Sequence, residues 1–104
     1  MKVSFRQSGG FAGLIRGIDL DTSKMDADQA AELEGLVTAS GIVGNSKART
    51  HAGRDLLQYE ITIVKGKKVS KLSCDDHTIP EAAQPLLTYL RPQAHPMPLD
   101  SAKR

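Results

Sequence analysis

Apolar and polar side chains alternate from Lys2 to Gln7, with Val3 and Phe5 on one side and Lys2, Ser4 and Arg6 on the other. This is the period-two pattern of a half-buried strand. Leu14 to Leu20 repeats it: Leu14, Ile18 and Leu20 share a side, although Arg16 interrupts that side and Gly17 weakens the strand. Between the two lie Ser8, Gly9, Gly10, Phe11, Ala12 and Gly13, whose three glycines can take the positive φ angles that reversing an antiparallel pair requires. The pattern predicts a β-hairpin. The period then lengthens. Asp26 with Gln29 three residues on is a variant of the capping box, Ala30, Leu33, Leu36 and Val37 follow at helical spacing, and Gly41 suits the left-handed position that ends a helix. Ile42 to Arg54 has no sustained period and is longer than most connections in a compact domain, so a mobile loop is expected there.

Leu57, Tyr59, Ile61 and Ile63 alternate with Gln58, Glu60 and Thr62, the clearest strand of the chain. Lys65-Gly66-Lys67-Lys68 turns it, and Val69 to Cys74 returns with Leu72 and Cys74 on one face. Thr78 with Glu81 forms a second capping box, ahead of an apolar helical stripe of Ile79, Ala83, Leu86, Leu87 and Leu90. Pro85 disfavours helix at Gln84 and predicts a split into an opening turn and a main helix from Pro85 to Arg91. The order is ββαββα, an α+β fold with one four-stranded antiparallel sheet and both helices packed on one face. Residues 1–91 are expected to form a single domain. From Pro92 onward, three prolines and a terminal Lys103-Arg104 leave no apolar face, so residues 92–104 are expected to be a flexible tail.

Length and charge narrow the classes of function. A chain of 104 residues fits one domain, its single Cys74 cannot form an internal disulfide, and its first residues lack the apolar run of a secretory signal, so cytoplasmic residence is expected. No stretch is long and apolar enough to cross a bilayer. A net charge of +2, spread among acids, gives no reason to expect a nucleic-acid or membrane partner.

Candidate chemistry is sparse. Cys74, Asp75, Asp76 and His77 are ligand types for zinc, but a structural zinc site has two ligand pairs and only this one is present; a buried strand cysteine followed by a polar turn is the better reading. His51 and His95 read as solvated. Asp19/Asp21 and Asp75/Asp76 flank turns, where acids cap helix starts. Lys65, Lys67, Lys68 and Lys71 read as a solvated hairpin turn, since nucleic acid would want aromatic neighbours. No nucleophile elbow, phosphate loop or dinucleotide fingerprint occurs, so no cofactor, metal or catalytic residue is expected. Phe11 differs, because a large apolar side chain at a glycine-rich tip either folds back over the sheet end or anchors in a partner's pocket. The residues alone leave both open.

Phe5-Arg6-Gln7-Ser8-Gly9-Gly10-Phe11-Ala12-Gly13 resembles the opening of the emfourins, bacterial inhibitors of thermolysin-like metalloproteases such as protealysin. Asp55 to Ile63 is similar to that family's central strand, and Asp76 to Glu81 with Gln84 to Leu90 to its last helix. The resemblance spans Lys2 to Arg91 and implies a non-enzymatic inhibitor of a zinc metalloprotease. On that basis the partner-binding residues are Ser8, Gly9, Gly10, Phe11, Ala12 and Gly13, with the glycine backbone close to a cleft floor and Phe11 in an apolar specificity pocket. The N-terminus and the 42–54 loop, with His51 as a zinc contact, are alternative entering segments. The rival reading is a regulatory or assembly partner that binds another protein through its sheet face or edge.

Overall fold

The computed structural model describes residues 1–9, 15–48 and 57–97. Its strands are β1 (Lys2–Gly9), β2 (Ile15–Asp21), β3 (Asn45–Ala48), β4 (Leu57–Lys65), β5 (Lys68–Asp75) and β6 (His95–Met97), and its helices α1 (Ala27–Ser40) and α2 (Gln84–Leu90). Short 3-10 turns at Thr22–Lys24, Glu81–Ala83 and Arg91–Gln93 join them. The sheet order is β3-β5-β4-β1-β2-β6. Five strands, from β5 to β6, pair antiparallel, and β3 adds to β5 in parallel.

The α+β class and the two predicted hairpin strand pairs match the alternation read from the sequence. The four-stranded ββαββα order is corrected, because the sheet has two further strands at its edges. Asn45–Ala48, expected within a mobile loop, is β3, and Gly44 ahead of it accepts the Lys71 amide at 2.7 Å. His95–Met97, expected within a flexible tail, is β6 against Ile15–Gly17. Ala94 is buried before it and accepts a 2.9 Å hydrogen bond from the Arg16 guanidinium. Both strands are edge strands held by backbone pairing, which leaves no alternation to read. Residues 49–56 and 98–104 lie outside the described residues.

Register explains the core. Residues opposite one another in paired strands share a face, so Leu20, Val3, Ile63 and Ser70 form one row, Ile18, Phe5, Ile61 and Leu72 the next, and Arg16, Gln7, Tyr59 and Cys74 a third. On this face the sheet's buried side chains form one cluster with Leu33 of α1 and with Leu86, Leu87 and Leu90 of α2. The stripes of both helices therefore bury against the same side. Asp26 caps α1 by accepting the Gln29 amide at 2.8 Å, and Gly41 ends it at φ 69°. The second expected cap is corrected. The Thr78 hydroxyl turns back to the Asp75 carboxylate (3.0 Å), so the following 3-10 turn starts after Pro80 without a side-chain cap. Pro85 lies in the first turn of α2, where its missing N–H costs no helical bond.

The opposite face is polar and carries cross-strand ion pairs. Arg6 holds Asp19 through two contacts, 2.9 and 3.2 Å, and Lys71 pairs with Glu60 at 3.3 Å. Arg6 reaches Asp19 across Gly17, its direct partner in the register, while also donating to the Phe5 carbonyl at 2.8 Å. The guanidinium holds the Asp19 carboxyl below its ordinary range. A Cβ on Gly17 would lie 2.3 Å from that same carbonyl oxygen. The glycine that weakens the strand in sequence terms is thus required by close approach.

Candidate functional site

The β1–β2 hairpin leaves the sheet at one end, and much else converges there. Gly9 pairs with Leu57 at the start of β4, Gln58 pairs with Asp75 at the end of β5, and Ala48 pairs with Cys74. Met97 pairs with Ile15. The described residues that flank segments 10–14 and 49–56, and the residue that precedes 98, all lie at this end. Met1 lies at the other, where its backbone nitrogen donates to the Thr22 hydroxyl (3.0 Å) and its carbonyl accepts the Thr22 amide (2.9 Å). The eight residues of β1 separate the two ends by roughly 25 Å at ~3.3 Å per residue. Of the three candidate entering segments, the hairpin and the 42–54 segment therefore run toward one end of the sheet, and the N-terminus sits at the other.

Of the six sequence-derived binding residues, Ser8 is half-buried and Gly9 exposed, with φ 100°, a backbone angle that suits glycine. Gly10, Phe11, Ala12 and Gly13 lie outside the described residues, as does His51.

A hydrogen-bonded turn braces this end. Asp76 accepts the Leu57 amide at 3.1 Å and the Tyr59 hydroxyl at 2.5 Å, fixing the start of β4. Asp75, buried, accepts the His77 amide at 2.9 Å and the Thr78 hydroxyl. The Tyr59 ring stacks on Phe5, with centroids 6.3 Å apart, and the Arg91 guanidinium lies over it, 5.4 Å from its centroid. The acids of the Cys74–His77 segment thus serve the turn. Cys74 is buried on the core face and His77 is exposed. No group of three or more His, Cys, Asp or Glu among the described residues is placed to hold a metal ion. Lys65, Lys67 and Lys68 are exposed at the opposite end, beyond Val64, which pairs with Lys2.

Burial first, and the bond to Asp76 second, push the Tyr59 hydroxyl up from 10.0 to about 12. An unfolded chain ionises its tyrosines near pH 10, so the contribution of Tyr59 to stability is whole below pH 10 and is lost as pH climbs toward 12. Melting curves between pH 9 and 12 should fall more steeply for the wild-type chain than for Tyr59→Phe; parallel curves would remove this assignment.

One feature of this end leaves no periodic or motif trace along the chain. Arg16, Gln7, Thr88, Arg91 and Pro92 line an open cleft between the sheet and the end of α2. Arg16 was legible only as a break in an apolar stripe, and Arg91 not at all, since its seat over Tyr59 is a long-range contact.

An Emfourin family model matches residues 5–91, most of the chain, including Ser8–Gly13 between β1 and β2. The chain belongs to the Emfourin family. That family is associated with protease inhibition, which agrees with a protein that works by binding another protein. No curated protein and no solved structure matches the chain. No helix among the described residues is long and apolar enough to cross a membrane.

Proposed function

We propose that this chain inhibits a thermolysin-like, protealysin-like zinc metalloprotease by occupying its active-site cleft with the hairpin Ser8–Gly13. The family match across residues 5–91 carries the reading, because it includes that hairpin. The scaffold suits the task. β1 is paired on both sides from Lys2 to Gln7 and with β4 alone at Ser8 and Gly9, so the hairpin's first strand stays in the sheet up to Gly9, and the Asp76–Tyr59 brace fixes the adjoining start of β4. Such preorganisation lowers the ordering cost of association. The glycines let backbone approach the cleft floor, and Phe11 fills the apolar specificity pocket. The N-terminus is a weaker candidate, since Met1 is bonded to Thr22 at the far end.

The test is peptide hydrolysis by a panel of thermolysin-like proteases titrated with the pure chain. Competitive inhibition at or below micromolar protein, with the chain itself left intact, is the expected result. Undisturbed hydrolysis throughout the panel would remove the inhibitor reading and leave a regulatory partner bound through the sheet face or edge in its place.

A further inference from the structure

Apart from Ser70, the core face of the sheet is apolar in the rows of Val3 and Phe5, but the last β1–β2 pair before the hairpin turn brings Arg16 beside Gln7. Over this row the end of α2 and the turn after it set Thr88, Arg91 and Pro92, and the five residues line an open, shallow cleft. Two arginines therefore line one open space. Elsewhere on the sheet the cations Arg6 and Lys71 have carboxylate partners. Among the described residues neither Arg16 nor Arg91 has one: Arg16 donates to the neutral Ala94 carbonyl and Arg91 rests on the neutral Tyr59 ring. Each contact fixes a guanidinium in place without a carboxylate partner among the described residues. A guanidinium carries five N–H donors in a planar fork that suits a carboxylate, and it is only weakly hydrated. The nearby acid Asp76 is already engaged by Tyr59 and Leu57.

We propose that the Arg16–Arg91 cleft receives an acidic side-chain cluster of the protein partner, with Gln7 and Thr88 supplying further hydrogen bonds. The cleft lies at the hairpin end, with Gln7 and Arg16 in the last β1–β2 pair, so the acidic cluster belongs on the rim of the surface that the hairpin enters. That identification of the partner rests on the inhibitor reading. The affinity for carboxylates rests only on the two arginines.

Two measurements separate these levels. In the first, acetyl-hexaglutamate amide is titrated into the wild-type chain and followed by backbone amide shifts, with hexaglutamine as control. Saturable shifts at Gln7, Arg16, Thr88 and Arg91 that vanish in R16Q/R91Q are expected; shifts confined to Lys65–Lys68, or none, overturn the site. In the second, protease association is timed at low and high salt for R16E/R91E and for K67E/K68E, which carries the same charge change at the opposite end. Charge steering predicts at least tenfold slower association for R16E/R91E at low salt, shrinking with added salt, and a much smaller change for K67E/K68E. Wild-type inhibition with equal rates in the two variants would overturn the acidic rim while leaving the inhibitor reading intact. Hexaglutamate binding at the cleft by a chain that inhibits no protease would overturn the inhibitor reading and the identity of the partner while leaving the carboxylate site intact.

Discussion

Replacing Gly17 with alanine is expected to lower the melting temperature by about 12–24 °C, the largest loss of stability from any single methyl group on this sheet. The added Cβ would lie 2.3 Å from the Phe5 carbonyl oxygen and 2.8 Å from Arg6 Cδ. The arginine could move, at the expense of its Asp19 pairing. The carbonyl belongs to β1 backbone paired on both sides and cannot. Relief therefore requires β1 and β2 to part, at a cost of roughly 3 kcal/mol or more, and each kcal/mol is worth roughly 4–8 °C in a domain of this size. Gly35 is the internal control. It lies exposed within α1 with nothing within 4 Å of its would-be Cβ, so Gly35→Ala should gain about 0.5–1 kcal/mol from helix propensity alone. Thermal melts of both variants decide the matter: a Gly17→Ala melt within a few degrees of wild type would mean that the close approach of β1 and β2 is not a structural constraint.

Gly17 also illustrates which parts of this fold could be read in advance. Elements whose signal is local were legible. The alternation in β1, β4 and β5 reports burial on one face, and Asp26 and Gly41 bound α1 through bonds within a few residues of themselves. Elements whose cause is distant were not. β3 and β6 exist because β5 and β2 offer backbone edges, and Asn-Ser-Lys-Ala or His-Pro-Met carry no periodic trace of that. The Thr78–Glu81 pair fitted a capping box, but Asp75, three residues earlier, competed for the same hydroxyl and won. Arg16 stood in the sequence as a flaw in an apolar stripe. In the fold that position is where the core ends, and the guanidinium ties β2 to Ala94 at the mouth of a cleft. At this end of the sheet, the β1–β2 strand pair was legible because its alternation is local, whereas the Arg16–Arg91 pair required the packing of α2 over the sheet.

Phe11→Ala is expected to weaken protease inhibition about thirtyfold or more while leaving the melting temperature nearly unchanged. The reasoning concerns where the aromatic side chain is needed. On the hairpin side of the described core Phe5 and Tyr59 stack on one another, Arg91 lies over the Tyr59 ring, and the next row toward the hairpin holds Gly9 opposite Leu57. On the proposed reading Phe11 serves the partner rather than the core. A hot-spot aromatic is worth ~2 kcal/mol or more, which is about thirtyfold in affinity. Gly10→Val should also reduce inhibition, but through the backbone, because a β-branched residue resists the positive φ available to glycine in a tight turn. If Phe11 instead folds back over the sheet end, the order reverses: Phe11→Ala lowers the melting temperature by several degrees, and the folded fraction inhibits as well as wild type. Inhibition constants and melting curves measured on the same two variants therefore separate anchor from core. Stable variants of undiminished potency would move the binding surface off the hairpin to the 49–56 segment, whose flanking residues Ala48 and Leu57 lie at the same end of the sheet.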